Sequence, residues 1–419
     1  MHTHTVKPTD QTGLLACHEC DLIHHIQHVP RGQNALCSRC GSMLWQHIPN
    51  SLNRTLALNL AALVCFVIAN LFPFLSLEVA GRVESNIFIS SAIALFHQGM
   101  GELGLLVFLT SICFPFLIIV GMLYLLLPLK FSIRPPGSAR VYRIIRTISP
   151  WSMLSILMLG VLLAIVKLQD MAIIIPGVSL YALIALLLFY TAANASFNVS
   201  ILWPMNSSEI ITPGEGGTAA QQKLIHCHTC SLLVAEPEAQ QNIRCPRCAS
   251  PLHKRKAHSI ERTWALIFTA ALLMIPANIY PVMTVIRFGQ GDPSTIFSGV
   301  VHLIAADMWP LAMIVFFASI LVPVIKLITL SYLSISVQQK SIWRPRDRTA
   351  LFRVSETIGS WSMVDIFLIA ILTSLVSLDA LATIRPDIGA VFFAGVVVTT
   401  IIAARSFDPR LIWDNHDKA

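Results

Sequence analysis

The chain is 419 residues long, 55% hydrophobic and only 12% charged, where soluble proteins carry roughly 25% charged residues. That balance excludes a soluble globular domain and reads as a polytopic membrane protein. A net charge of +7 raises the question of nucleic acid, but the basic residues flank apolar segments instead of forming one patch, so no nucleic-acid partner is expected.

The opening segment MHTHTVKPTD is hydrophilic, and the first apolar stretch begins past residue 54. No signal peptide is read, and the amino terminus is expected in the cytosol. Next comes Cys17-x2-Cys20, followed after 16 residues by Cys37-x2-Cys40. The same pattern returns as Cys227-x2-Cys230 and, 14 residues on, Cys245-x2-Cys248. Paired CxxC knuckles at this separation put four thiolates around one tetrahedral ion, so two structural Zn2+ sites are expected, with redox dithiols and iron–sulfur sites as rivals. His18, His24, His25, His28, His47, His226, His228 and His253 lie in or near the knuckles, yet four cysteines already suffice. No coordination position is left open for hydrolytic chemistry, and an enzyme is not expected. The two remaining cysteines, Cys65 and Cys113, fall inside apolar stretches, and a disulfide framework does not fit a reducing compartment.

After each cysteine module come four runs long enough to cross a bilayer. In the first half they cover about 55–77, 103–129, 148–168 and 176–203; in the second, about 263–286, 309–337, 358–378 and 387–404. The halves align: Ala69-Asn70-Leu71-Phe72-Pro73 matches Ala277-Asn278-Ile279-Tyr280-Pro281, Pro115 matches Pro323, and Trp151-Ser152-Met153 matches Trp361-Ser362-Met363. Pro73 and Pro281 are expected to kink or end the first spans. The fold class is therefore an all-α polytopic membrane protein built as a tandem repeat of two four-helix units, each preceded by a small zinc ribbon. The expected division is ribbon 1 at 1–50, unit 1 at 51–204, a linker at 205–221, ribbon 2 at 222–256, unit 2 at 257–405 and a cytosolic tail at 406–419. Segments 86–98 and 294–306 are short and apolar, and read as re-entrant pieces or as ordered loops packed on the bundle.

Four spans return the chain to its starting side, so both units point the same way. Of 29 Lys and Arg residues, 24 fall on the ribbon side, four (Arg82, Lys167, Arg287, Arg385) on the other, and Lys326 lies within a span. By the positive-inside rule both termini and both ribbons face the cytosol.

Ionisable residues inside a span mark a pathway or a paired structural site. Lys326 and Asp365 stand where the first half has Ile118 and Ser155. Ser319, seven residues before Lys326, shares its helix face, and Pro323 cannot donate to the Ser319 carbonyl. Ser362 precedes Asp365 by one turn, and the fourth span offers Thr399 and Thr400. A buried cluster of Lys326, Asp365, Ser319, Ser362 and one threonine is expected, acting as a proton relay or as a static salt bridge. Lys167 reads as a snorkelling lysine, and Asp170, opposite Asp379 in the repeat, as a route for protons into the span.

Tandem ribbons, the repeated Asn-x-x-Pro and Trp-Ser-Met motifs and the two four-span units together resemble the paraquat-inducible protein A family of bacterial inner membranes, over essentially the whole chain. The resemblance implies tetraspanin-like units, and a partner carrying mammalian-cell-entry (MCE) domains that forms a periplasmic tunnel. It also implies movement of membrane phospholipids between the inner and outer membranes, and a proton-coupling network at Lys326, Asp365, Ser319, Ser362 and Thr400. No GxxxxGK[ST] motif is present, so energy must come from an ion gradient, a partner, or not at all. A proton-coupled exporter of amphipathic toxicants and a passive anchor working through loops 78–102 and 286–308 are the alternatives.

Overall fold

The computed structural model describes residues 13–26, 29–30, 32–79, 82–133, 135–168, 173–203, 217–236, 244–287, 290–305, 307–359, 361–375 and 382–416. Ribbon 1 is two hairpins, β1 (Gly13–Ala16) with β2 (Ile23–Ile26) and β3 (Asn34–Leu36) with β4 (Met43–Gln46). Each CxxC pair forms the turn of one hairpin. Cys17 N–H donates to the Leu22 carbonyl at 2.9 Å and Cys37 N–H to the Ser42 carbonyl at 2.8 Å. Gly41, at φ +74°, supplies the left-handed residue that closes the second knuckle.

Unit 1 follows. Its first span is α1 (Ser51–Leu71), which leads into strand β5 (Pro73–Val79). The sequence reading carried this span to 77, because residues 73–77 are apolar; Pro73 instead starts the strand, since its missing N–H and fixed φ suit a strand start and not a helix interior. Then come β6 (Arg82–Ile87), α2 (Ser90–His97) and α3 (Gly101–Phe108). A π-helical turn at Leu109–Cys113 joins α3 to α4 (Phe114–Lys130). Helix α5 (Ser138–Ile148) reaches α6 (Leu154–Leu168) through a 3-10 turn at Ser149–Trp151. Strand β7 (Ile173–Pro176) and α7 (Val178–Ser196) complete the unit.

Ribbon 2 holds β8 (Leu224–His226) and β9 (Leu233–Ala235). Unit 2 repeats the order: α8 (Ser259–Ile279), β10 (Met283–Arg287), β11 (Gln290–Ser294), α9 (Ile296–Ala305), α10 (Trp309–Phe316), a π turn at Phe317–Leu321 and α11 (Val322–Gln338). Then follow α12 (Pro345–Ile358), a 3-10 turn at Trp361–Met363, α13 (Val364–Leu375), β12 (Ala382–Pro386), α14 (Ile388–Ser406) and α15 (Leu411–Asp414). Among the described residues, eight helical spans are long and apolar enough to cross a membrane. Both π turns end two residues before a proline, Pro115 or Pro323. A proline leaves one carbonyl of the preceding turn without its N–H, and the wider turn absorbs the mismatch.

On the side away from the ribbons, each unit carries a three-stranded antiparallel sheet, β6-β5-β7 in unit 1 and β11-β10-β12 in unit 2. The segments read as re-entrant pieces are thus a strand followed by a short helix, packed on the bundle. In both units the first and last spans pair tightly: Ser51 Oγ bonds the Ser196 carbonyl, and Ser259 Oγ bonds the Ser406 carbonyl at 2.8 Å. Glycine is needed where the last span begins, because a Cβ at Gly389 would lie 2.5 Å from the Pro281 carbonyl oxygen.

The units are joined along α6 and α13. Gly160 of α6 permits that approach, its Cβ position lying 3.0 Å from Phe367 Cβ and 3.4 Å from the Val364 carbonyl. With α2 and α3 also packed on it, every residue of α13 is buried. The ribbons dock crosswise. Ribbon 1 sits on unit 2, where its cysteines share an apolar cluster with Phe352, Phe407 and Trp413, and Glu19 accepts from Arg353 Nε at 3.0 Å. Ribbon 2 sits on unit 1, packed on Ala139 and Trp203, with Arg143 donating to the Ala249 carbonyl at 3.2 Å.

Candidate functional site

Each ribbon gathers its four thiols within 4.8 Å of one another, all buried. In ribbon 1, Cys17 Sγ lies 3.5 Å from Cys40 Sγ, and Cys20 Sγ 3.4 Å from Cys37 Sγ. In ribbon 2 the Cys227–Cys248 and Cys230–Cys245 separations are both 3.5 Å. A disulfide would need about 2.05 Å. Tetrahedral ligation at a metal–sulfur distance of about 2.3 Å puts sulfurs roughly 3.8 Å apart, close to what both clusters present. Cys17, Cys20, Cys37 and Cys40, and separately Cys227, Cys230, Cys245 and Cys248, therefore fit one metal ion each. His24 Nε2 lies 3.2 Å from Cys37 Sγ, in a position to orient that ligand from outside the set. His226 is wholly enclosed: burial, then the neighbouring His228 charge, lowers its pKa to about 3, so it is neutral near pH 7.

The segment expected as a cytosolic tail forms a latch between ribbon 1 and unit 2. Arg255 Nη1 reaches Asp21 Oδ2 at 3.0 Å, and its Nη2 reaches Asp414 Oδ1 at 2.6 Å. Arg410 Nη2 holds Asp408 Oδ2 at 2.9 Å, and Trp413 Nε1 donates to Thr349 Oγ1 at 2.9 Å.

Within the membrane-spanning part, two of the five network residues come together directly. Ser319, in the π turn, donates from Oγ to Asp365 Oδ2 and also lies 2.6 Å from the Val315 carbonyl. One hydroxyl carries one proton, so there are two arrangements. Ser319 donates to an ionised Asp365, or a protonated Asp365 donates to Ser319 while Ser319 turns to Val315. Asp365 Oδ1 is buried and has no partner among the described residues.

Lys326, 3% exposed, lies two turns nearer the ribbons on the Ser319 face. Among the described residues no ion pair or hydrogen bond joins it to Asp365. Its Nζ instead fills the space beside Gly359, where any Cβ would collide with Nζ and lie 2.9 Å from the Ser355 carbonyl. Glu356, exposed near the C-terminal end of α12, lies three residues before Gly359. Ser362 is buried in the 3-10 turn one turn ahead of Asp365. Thr400 is buried but bonds the Val397 carbonyl of its own helix at 2.9 Å, and Thr399 bonds the Gly395 carbonyl at 2.7 Å. Asp170 and Asp379 lie outside the described residues.

Lys167, read from sequence as a snorkelling lysine, turns out to share a cavity with Asp365. The cavity, about 60 Å³ in volume, lies at the seam of the two units, on the side away from the ribbons. Leu163 and Lys167 line it from α6, Asp365 and Leu368 from α13, and Thr295 and Leu303 from the β11–α9 region. Its wall is largely apolar, with Lys167 and Asp365 the ionisable groups among its lining residues. Periodicity within one span could not reveal this site, because it forms only where the units meet.

The profile of the family described as paraquat-inducible protein A matches residues 52–206 and again 260–417. The chain is 31% identical to the intermembrane transport protein PqiA of Escherichia coli (strain K12) over 410 residues, covering 97% of this chain and 96% of that one. It is 31% identical over 404 residues to the lipophilic envelope-spanning tunnel protein A of the same strain, covering 96% and 91%. Identity to a probable intermembrane transport protein of Haemophilus influenzae is 26% over 411 residues, covering 97% of each chain. No solved structure matches the chain.

Proposed function

The chain belongs to the paraquat-inducible protein A family, and on that premise we propose that it is the inner-membrane component of an intermembrane phospholipid transport system. Its relatives bear the names intermembrane transport protein and lipophilic envelope-spanning tunnel protein. The observation that carries the reading is the seam cavity, apolar over most of its wall and holding a carboxylate with one oxygen unpartnered among the described residues. Acyl chains need such a wall, and a buried acid inside it is costly enough to imply a task.

In this reading the ribbons and both termini face the cytosol, as the basic loops favour. Each ribbon holds a structural Zn2+ whose work is to clamp it against the opposite unit. The sheets and the cavity then face the periplasm, where a tunnel protein with MCE domains receives or delivers lipid. Protons enter and leave at Asp365, where Ser319 supports either state by switching its hydroxyl between Asp365 and the Val315 carbonyl, and they bias the bundle between two arrangements, with Lys326, Ser362 and Thr400 shaping the buried path toward Glu356. No covalent step on the lipid is involved, and the chain acts as a transporter and not as an enzyme.

The rival exporter of amphipathic cations would be served by several acids, whereas Asp365 is the one carboxylate among the described lining residues. A passive anchor would leave Asp365 and Lys326 dispensable. The deciding experiment reconstitutes the full chain in vesicles with its periplasmic partner and follows labelled phospholipid transfer. A transmembrane pH gradient should accelerate transfer in the wild type and not in Asp365→Asn. Transfer indifferent to both gradient and substitution would sink proton coupling, and no transfer at all would sink the lipid reading.

A further inference from the structure

We infer that the seam cavity selects phospholipids whose headgroup carries a primary ammonium, with Asp365 receiving the ammonium and Lys167 the phosphate. This rests on the lipid reading above and adds a headgroup class to it. Asp365 is 7% exposed, so its carboxylate is sealed from bulk solvent. One oxygen is taken by Ser319, and the other, Oδ1, is buried without a partner among the described residues. Asp365 also lines the cavity, across from a cation on the other unit. A lone buried acceptor is expensive unless something donates to it, and here the space beside it is large enough for a ligand. The cavity, about 60 Å³ in volume, takes the terminal ammonium and its linker, while the rest of the lipid extends along the apolar walls built by Leu163, Leu303 and Leu368.

The two charges sit on helices from different units and have opposite sign, which matches a zwitterion better than a simple anion. A primary ammonium donates hydrogen bonds to Oδ1 and neutralises the carboxylate. A quaternary ammonium has no N–H, so it leaves Oδ1 unsatisfied, and a glycerol headgroup offers neither charge nor equally strong donors. Hydrogen bonds to charged groups exceed neutral ones by enough that preference for the primary ammonium should be roughly tenfold or more. Lys167 acts on the phosphate that all three lipids share, and so sets affinity without setting the preference.

The test measures binding of phosphatidylethanolamine, phosphatidylcholine and phosphatidylglycerol to the full chain in lipid nanodiscs. The expected result is at least about tenfold preference for phosphatidylethanolamine over phosphatidylcholine. That ratio should fall to about one in Asp365→Leu, which removes the acceptor, and Lys167→Gln should weaken all three lipids alike. Equal binding of ethanolamine and choline lipids by the wild type overturns the inference without recourse to any variant, and leaves lipid transport standing. Absence of any bound phospholipid overturns both. Soluble phosphoethanolamine separates the sources of the headgroup: binding far weaker than the lipid supports a membrane ligand, whereas equal affinity would mean a soluble metabolite and overturn the proposal.

Discussion

The two transmembrane units share a backbone and differ in charge. Both have the π turn before a proline, the serine clasp between first and last spans, and the three-stranded sheet. Where unit 1 has Ile118, Ser149 and Ser155, unit 2 has Lys326, Gly359 and Asp365. Their surroundings differ to match. The third span of unit 2 is 88% buried over its most apolar window, against 44% for unit 1, because α13 is covered by unit 1 on one side and by its own unit on the other. Ionised groups in a bilayer core are tolerated only where protein or water, and not lipid, surrounds them. Duplication therefore did more than double a scaffold: packing one copy on the other created the one span where a buried acid can reside.

The sharpest test of this asymmetry exchanges acids between the units. Asp365→Asn keeps shape and hydrogen-bonding capacity but removes the exchangeable proton. Lipid transfer by the reconstituted protein should fall by about a hundredfold or more, in line with loss of a catalytic proton carrier, while the thermal midpoint moves little. Ser155→Asp, at the matching but exposed position in unit 1, should leave transfer chemistry intact and cost about 2.5–3.5 kcal/mol of insertion or folding free energy. A dead Ser155→Asp protein of normal stability would break the comparison.

The crosswise ribbons give the next largest effect. Cys20→Ser should remove one bound metal ion, lower the thermal midpoint and release ribbon 1 from Phe352 and Trp413 of unit 2. Cys248→Ser should release ribbon 2 from unit 1. Structural zinc sites contribute several kcal/mol or more to the folding of small modules. Proteolysis near Arg353 should speed up only in the first variant and near Arg143 only in the second. Both variants opening the same unit would refute the crossing.

Gly359 probes the space made for Lys326. Gly359→Ala forces its methyl into Nζ and toward the Ser355 carbonyl, and overpacking of this kind costs about 1–3 kcal/mol. Adding Lys326→Ile, which restores the unit 1 residue, should recover most of that stability without restoring transfer. Denaturant titration in mild detergent reads the first effect and the rescue together.

The parts of this architecture visible in sequence are those set by composition along the chain. Eight spans follow from uninterrupted hydrophobicity, and the metal sites from CxxC pairs whose spacing is local. Lys326 and Asp365 stand out as ions in apolar runs. What escaped depends on contacts between distant segments. Residues 73–77 look like a continued helix because a strand buried in a small sheet is as apolar as a span. Lys167 looks like a surface lysine because the cavity it lines needs α13 of the other unit. Helix faces group Ser319 with Lys326 and Ser362 with Asp365, yet Lys326 turns toward Gly359, and Thr400, offered by the fourth span, satisfies its hydroxyl within its own helix. Those choices are made by packing.

The smallest predicted effect lies where the two units end. After the last span of unit 1, Asn198 Oδ1 accepts from Ser200 N–H at 3.0 Å, and its amide donates to the Gln46 carbonyl of ribbon 1 at 3.0 Å. The matching residues of unit 2 are Asp408 and Arg410, with the same turn but a charged pair. Burial alone would raise the Asp408 carboxyl, but hydrogen bonds and charge from Arg410, with the Lys256 N–H and ammonium, hold it at about 2. A carboxyl whose folded pKa lies below its unfolded value of about 3.9 adds stability that is complete above that value and disappears as pH falls through about 2. The contribution is on the order of 2 kcal/mol for this buried group. Between pH 4 and pH 2 the Trp413 latch should therefore loosen while the Asn198 turn of unit 1 stays closed. Trp413 emission, read in a variant whose other tryptophans are replaced, should shift to the red over that interval. Asp408→Asn copies unit 1 and should flatten the transition, at the cost of a less stable latch near pH 7; an unchanged acid transition would mean that another carboxyl governs it.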